Sequence, residues 1–288
     1  MTLPPSAVKG PPPTRRNAPP PASGQPDANP SAPPAENRWA ITGGRQTGAQ
    51  RVLIYGPGGI GKSSLAALAP NPIVIDVEGS TRGLDVQRID GIQTWAELRA
   101  CLQSATLDGF RTIVIDSVTK AEEMAATHTV ETVPNEKGQR VKSLEGYGFG
   151  KGLRHHHETY LLLLMDLDRH VRAGRNVVLI AHACTTPVPN PTGDDWLQYQ
   201  PRLMGGTKKG ECSNRERTFE WCDHALYVGY DVVSTDGKGK GSGTRTIYTS
   251  EDAAHKAKVR GIDGTLDPMA FEHNKDGAVW PLILGGVA

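Results

Sequence analysis

The stretch RVLIYGPGGIGKSSLAAL, residues 51–68, constrains the fold more than any other part of the chain. An apolar run at 52–55 leads into a glycine-rich turn, which a Lys-Ser-Ser sequence and a helix-forming run follow. Glycine lets the backbone turn tightly and point its N–H groups inward, where they form a cradle for an anion. The following helix adds the positive end of its dipole. The pattern therefore predicts a strand, a phosphate-binding loop and a helix, in that order.

The spacing within this loop predicts its contacts with a nucleotide. Gly56, Gly61, Lys62 and Ser63 fit the P-loop pattern G-x-x-x-x-G-K-[ST]. We expect Lys62 to reach the β- and γ-phosphates of ATP and Ser63 to place its hydroxyl on Mg²⁺. The alternative is a glycine-rich loop with an accidental lysine, which the order of strand, loop and helix disfavours. The predicted ATP-binding residues of the loop are Gly56, Pro57, Gly58, Gly59, Ile60, Gly61, Lys62, Ser63 and Ser64.

The N-terminal part of the chain has a different composition. Its first 36 residues hold 12 of the 22 prolines and almost no large apolar side chains. Such a segment cannot bury enough surface to offset its ordering entropy, so we predict a disordered tail at 1–46 and one folded domain at 47–288. No signal-peptide segment and no membrane-spanning run is visible, which favours a cytoplasmic protein. The net charge of +1 gives no overall electrostatic argument for nucleic-acid binding.

Short apolar runs alternate with helical patterns along the rest of the chain. Continuous Val/Ile/Leu runs between helices indicate an α/β fold with a mostly parallel sheet flanked by helices on both faces. The predicted strands after the first are 73–75, 112–115 and 175–183, and the predicted helices are 95–105 and 155–174.

A C-terminal β-hairpin completes the predicted fold. Residues 224–234 and 244–250 have strand patterns, and the glycine-rich segment 235–243 would form the tip between them.

Polar residues follow several of the predicted parallel strands. Gly56, Glu78, Asp116 and His182 all lie at strand ends. Ligands of doubly wound sheets bind at the carboxyl ends of the strands, so one nucleotide site can gather all four residues.

Asp116 and Glu78 are the candidate acids of this site. Asp116 follows three apolar strand residues, as a Walker B aspartate does, and could hold Mg²⁺ together with Ser63. Ser117 follows it where many P-loop ATPases carry a water-activating glutamate, so another acid is needed, and Glu78 is the natural candidate. The alternatives are a helix N-cap for Asp116 and a solvated loop acid for Glu78.

The segments VIDVEGSTRGLD, IVIDSV and VVLIAHA resemble the RecA-type ATPase core. A closer resemblance is to compact phage RecA-like ATPases, a group that includes single-strand annealing proteins. It rests on Gly146–Tyr147–Gly148 and on Ala257–Lys258–Val259–Arg260, and it spans about residues 50–262.

That resemblance implies particular roles and a particular strand order. Glu78, two residues after Asp76, would be the catalytic base, and His182 would sense the γ-phosphate. The strand ending at His182 would lie between the P-loop strand and the Walker B strand. Lys258 and Arg260 would reach the ATP of a neighbouring subunit in a ring or filament. The alternative for His182 is a buried, hydrogen-bonded histidine, and the alternative for Lys258 and Arg260 is a solvated basic surface.

The resemblance also implies mobile loops that face DNA, at 129–152 and 185–217. Tyr147 and Phe149 could stack on bases, while an ordinary solvated loop is the alternative. The segment 207–217 carries the basic residues Lys208, Lys209, Arg215 and Arg217, and the hairpin tip adds Lys238 and Lys240.

Two hypotheses follow. The first is an ATP- and Mg²⁺-dependent phage protein that binds single-stranded DNA and assists annealing or recombination, with slow, DNA-stimulated hydrolysis. The second is a nucleotide-dependent assembly or adaptor module without DNA affinity. A small-molecule kinase and a helicase-like motor are weaker alternatives. The sequence HNKDG (273–277) misses the guanine-reading N-K-x-D motif, and Cys212, Cys222 and His224 fit no standard zinc spacing.

Overall fold

The computed structural model describes residues 41–44, 48–206, 212–235, 238–261, 268–271 and 276–284, with 232–235 and 238–243 described by their backbone alone. The chain divides into two units, Met1–Gln46 and Thr47–Ala288. Residues 41–44 of the first unit are exposed, and the predicted disordered tail otherwise lies outside the described residues. All helices and strands named below belong to the second unit.

A single sheet with both parallel and antiparallel strands organises the second unit. Its order is β10-β8-β7-β1-β5-β4-β2-β3, with β6 paired to β5 and β9 paired to β7. The six strands from β7 to β3 run parallel to their neighbours. The strands are β1 (Arg51–Gly56), β2 (Pro72–Asp76), β3 (Gln87–Ile89), β4 (Thr112–Asp116), β5 (Asn176–Val188), β6 (Trp196–Pro201), β7 (His224–Thr235), β8 (Lys238–Tyr248), β9 (Lys258–Val259) and β10 (Met269–Phe271).

The order of the central strands confirms the predicted architecture. Strand β5, which carries His182, lies between the P-loop strand β1 and the Walker B strand β4. The mostly parallel sheet, the flanking helices and the C-terminal β7–β8 hairpin are confirmed as well. The helices are α1 (Lys62–Ala67), α2 (Trp95–Gln103), α3 (Val118–Thr132), α4 (Lys151–Arg172), α5 (Asn214–Trp221) and α6 (Val279–Ile283).

The apolar runs of the central strands are buried because helices cover both faces of the sheet. Along β1, Leu53 and Tyr55 face one core while Val52 and Ile54 face the other, as the two-residue period of a strand requires. The first core contains side chains of α2, α3, α4 and α5, and the second contains those of α1 and α6. Because apolar side chains fill both faces of the sheet, the polar groups of these strands lie at the carboxyl ends.

The strand register brings the predicted polar residues to one edge. Asp76 of β2 lies opposite Asp116 of β4, and Gly56 of β1 lies opposite His182 of β5. Since these strands are parallel, all four residues end at the same edge of the sheet.

Two segments predicted to be DNA-facing loops are largely ordered, so those predictions are wrong in part. Within 185–217, β5 continues to Val188 and pairs with β6, while α5 begins at Asn214. Strand β6 was not predicted because its buried residues are Gln198, Gln200 and Pro201, whereas Leu197 and Tyr199 are exposed. That arrangement inverts the usual alternation of apolar and polar residues.

Segment 129–152 is also shorter as a loop than predicted, because α3 continues to Thr132 and α4 begins at Lys151. Strand β8 begins at Lys238, which shortens the predicted hairpin tip. Lys208 and Lys209 lie outside the described residues, as do the side chains of Lys238 and Lys240.

Candidate active site

The P-loop forms an open cradle between β1 and α1. A side chain at Gly56 would overlap the carbonyl oxygen of Val228 on β7, so only glycine allows the strands to approach this closely. Gly61 has φ 105° and is the residue before α1, a conformation that disfavours any other residue. Nothing lies within 4 Å of the Cβ position at Gly58 or Gly59. The loop is therefore closed at its base and open on the side where an anion would enter.

Lys62 lies at the base of this cradle. Its Nζ donates to the carbonyl oxygens of Gly56 at 3.1 Å and of Pro57 at 2.7 Å. Burial lowers the pKa of the Lys62 ammonium, while the carboxylates of Asp116 and Glu78 act in the opposite direction. A buried ammonium held only by carbonyl oxygens among the described residues fits an anionic ligand above it.

Ser63 and Asp116 form the pair that the sequence predicted for Mg²⁺. Ser63 Oγ donates to Asp116 Oδ2 at 2.6 Å, and Ser80 Oγ donates to the same oxygen at 3.3 Å. Burial raises the pKa of the Asp116 carboxyl, and the charges of Glu78 and Asp76 raise it further. A hydroxyl and a carboxylate are hard oxygen ligands, so these residues fit Mg²⁺.

Asp76 has a different role from its neighbour Asp116. Its Oδ1 accepts from the amides of Gly79 at 2.7 Å and Ser80 at 3.1 Å. Its Oδ2 accepts from the amide and the hydroxyl of Thr81, at 2.9 and 2.6 Å. Burial acts to raise the pKa of Asp76, but these hydrogen bonds outweigh it and hold the pKa below its usual range. Asp76 therefore fixes the loop that carries Glu78.

Glu78 lies between the carboxyl end of β4 and His182 in the middle of β5. Its carboxylate accepts a hydrogen bond from Ser117 Oγ, and His182 Nε2 lies 3.1 and 3.3 Å from its two oxygens. The amide of His182 in turn donates to Thr119 Oγ1 at 3.1 Å. The structure thus brings Glu78, His182, Lys62 and Asp116 together at one edge, as predicted, while their chemical roles stay predictions.

Four hydroxyl-bearing residues of the site were missed from the sequence: Ser80, Thr81, Ser117 and Thr119. Their only signal in the sequence is the position of "SVT" directly after β4 and of "GST", which two residues separate from the end of β2.

Lys258 and Arg260 do not join this site within the chain. Strand β9 pairs with the first residues of β7, which lie beside the amino-terminal half of β1. Lys258 Nζ and Arg260 Nη2 lie 3.5 Å from the carbonyl oxygen of Glu220. Both residues are therefore near the edge opposite the P-loop, and only the predicted contact with a neighbouring subunit's ATP stays open for them.

Comparison with known proteins gives one family match. Residues 48–261 match the model of a family described as AAA domain. Among curated proteins nothing matches. Among solved structures, a KaiC-like protein of the hyperthermophilic archaeon Pyrococcus horikoshii OT3 is similar, with 13% identity and a TM-score of 0.42 over 78% of this chain and 86% of that one. Within the described ranges, no helix is long and apolar enough to cross a membrane.

Proposed function

This chain belongs to the AAA domain family, and from that premise we propose that it is an ATPase that converts ATP and water into ADP and phosphate. One observation carries the proposal. The Ser63–Asp116 pair, 2.6 Å apart, lies at the same sheet edge as Glu78, which His182 and Ser117 hold.

The loop and α1 bind the triphosphate. Backbone amides from Gly58 to Ser63 surround the phosphates, and Lys62 exchanges its carbonyl partners for phosphate oxygens. Ile60 is fully buried in the second core, so it contributes its backbone rather than its side chain. Ser63 and Asp116 would hold Mg²⁺, which when bound withdraws charge from the phosphate oxygens.

Glu78 acts as the general base of hydrolysis. It takes a proton from a water molecule while the water oxygen attacks the γ-phosphorus, and the bond to the β–γ bridging oxygen breaks to release ADP. Lys62 stabilises the negative charge that develops on the phosphoryl oxygens. His182 and Ser117 hold the Glu78 carboxylate in place, since both contact its oxygens.

Phosphate release with Mg²⁺, compared with release in excess chelator, tests the ATPase proposal. Lys62→Ala should weaken ATP binding by about 30-fold, because a charge-assisted hydrogen bond to phosphate is lost. Lys120→Ala is the matched control, since Lys120 is exposed and bonds Glu123 on the surface of α3. Equal ATP affinity in wild type and Lys62→Ala would contradict the proposal.

The finer proposal is that the protein is phage-encoded, acts in the bacterial cytoplasm and binds single-stranded DNA during annealing or recombination. Support comes from exposed Lys137, Arg140 and Lys142 in the segment between α3 and α4, next to the helix that follows Asp116. ATP binding would join subunits, with Lys258 and Arg260 contacting the neighbour's ATP, and slow hydrolysis would release them. DNA-stimulated turnover, and DNA binding that weakens steeply with salt, are the expected results.

The second candidate is an adaptor module that binds nucleotide without DNA affinity. Turnover that is indifferent to DNA at low salt would favour it and would contradict the DNA-binding proposal.

A further inference from the structure

Phe149 is an exposed aromatic residue in an unfavourable backbone conformation. It has φ 48°, in the left-handed region, and its side chain is fully exposed. Its neighbours Gly148 and Gly150 also have positive φ, of 70° and 73°. A phenylalanine in this region is strained, whereas glycine is not. Neither burial nor backbone preference therefore accounts for a phenylalanine here.

Buried contacts hold the turn that presents Phe149. Tyr147 is 8% exposed, and its hydroxyl lies 3.0 Å from the carbonyl oxygen of Thr129 and 2.6 Å from that of Val133. A side chain at Gly152 would overlap the carbonyl oxygen of Leu144, so the start of α4 packs tightly against the same segment. Tyr147 is thus an anchor rather than a stacking residue, and that part of the sequence prediction is wrong.

Two exposed cations lie on the segment between α3 and α4. Arg140 and Lys142 are exposed, and neither side chain has a hydrogen bond or ion pair among the described residues. Val141 between them packs on Gly146, with its Cβ 3.1 Å from the ideal Cβ position there. That contact places the backbone between the two cations against Gly146, three residues before Phe149. By contrast, the nearby Lys151 is paired with Glu136.

We infer that Phe149 stacks on a base of single-stranded nucleic acid, while Arg140 and Lys142 contact phosphates on either side. The inference rests on the proposed function and deepens it. Proteins that bind single strands without sequence preference combine an aromatic platform with nearby cations, and every base offers a face to stack on. A turn held by buried contacts is an advantage in stacking, because little backbone conformational entropy is lost when the base arrives. A second copy of this chain would need apolar complementarity, which exposed cations on the same segment disfavour.

Fluorescence anisotropy with a labelled oligodeoxythymidine tests the inference in the full chain with ATP and Mg²⁺. Phe149→Trp should bind as wild type does, because the stacking face is kept. Phe149→Leu should weaken binding about tenfold, because apolar bulk remains but the face is lost. Phe149→Gly should weaken binding at least as much while leaving the Tm unchanged or higher, because glycine relieves the strained backbone. A residue with only a structural role would not lose binding while gaining stability.

Matched variants separate the alternatives. Leu153→Ala removes an exposed apolar side chain on the first turn of α4 and should change nothing. Replacing Arg140 and Lys142 by alanine should reduce the slope of log affinity against log salt by about 1.4.

Three results would overturn the inference. If Phe149→Leu binds as tightly as wild type, the inference is wrong while the DNA-binding proposal stands. If wild type binds no oligonucleotide at any salt concentration, both are wrong. If Phe149→Leu changes sedimentation but not DNA affinity, the ring contacts a second copy instead.

Discussion

Asp76 and Asp116 are the same residue type at equivalent strand ends, and they lie directly opposite each other in neighbouring strands. Each is 2% exposed. Asp76 accepts four hydrogen bonds from its own loop, three of them from backbone amides, and its pKa is lowered. Among the described residues, the Asp116 carboxylate accepts only from the hydroxyls of Ser63 and Ser80, and its pKa is raised.

This difference in hydrogen-bond partners indicates different roles for the two carboxylates. A carboxylate satisfied by backbone amides is stable as an anion and shapes the loop that supplies those amides. A buried carboxylate with hydroxyl partners near two other acids gains most from an added cation. The loop after β2 is therefore built around Asp76, whereas Asp116 is the carboxylate that we propose for the metal of the nucleotide.

The largest effect is expected at Asp116. Asp116→Asn should reduce ATP turnover by about 1000-fold, because the amide keeps the shape but loses the charge that holds the cation. The free energy of unfolding without nucleotide should not fall, since a buried charge with a raised pKa is removed. Phosphate release and urea unfolding measure the two quantities. An Asp116→Asn protein that hydrolyses ATP at the wild-type rate would contradict the different roles assigned to the two aspartates.

Asp76→Asn should act mainly on stability. Its amide nitrogen cannot accept the hydrogen bonds that one carboxylate oxygen accepts now, so the free energy of unfolding should fall by about 2 kcal/mol. Turnover should also fall, because Glu78 lies two residues further along the disturbed loop. Urea unfolding of both aspartate variants in one buffer is the measurement. An Asp76→Asn protein as stable as wild type would show that the loop does not depend on this carboxylate.

His182 lies on β5, the strand beside β4, and tests how Glu78 is held near the two aspartates. His182→Ala should reduce turnover about tenfold, because Glu78 loses one of the two groups that position it. His182→Gln should retain most of the activity, since its amide N–H can donate to the same carboxylate. Measured kcat values that rank alanine above glutamine would contradict a positioning role for His182.

The smallest expected effect concerns the free energy of unfolding, whose dependence on pH should have opposite signs for the two aspartates. The lowered pKa of Asp76 contributes stability above its unfolded value of about 4, and this is lost as pH falls through the folded pKa. The raised pKa of Asp116 contributes stability at low pH, and this is lost as pH rises through the folded pKa. Against wild type, Asp76→Asn should therefore gain in relative stability as pH falls below about 4, and Asp116→Asn as pH rises above it. Urea unfolding of wild type and both variants at pH values below and above about 4 measures both trends. Plots of stability against pH that run parallel for the three proteins would contradict the assignment.

The sequence alone was sufficient for the parts of the site that depend on local patterns. The P-loop follows from glycine spacing, and Asp116 and His182 follow from apolar runs that end in one polar residue. The parallel sheet follows from the alternation of those runs with helices, because each pattern reflects a local backbone preference or burial on both faces.

The rest depends on register between strands that are distant in the chain. Ser80 reaches Asp116, and Ser117 reaches Glu78, only because β2 and β4 pair side by side. No local pattern carries that information. Strand β6 was not predicted because glutamines and a proline are its buried residues. The role of Tyr147 was not predicted because its hydroxyl bonds backbone carbonyls that are distant in the sequence.

The central claim is that Glu78 activates the attacking water, and Glu78→Gln tests it most directly. Glutamine keeps the size of the side chain and can still bond Ser117, but it cannot take the proton. ATP affinity by calorimetry should stay within about threefold of wild type, while turnover falls by about 1000-fold. Glu123→Gln, an exposed residue on α3, is the control. A Glu78→Gln protein that hydrolyses ATP at the wild-type rate would contradict the account.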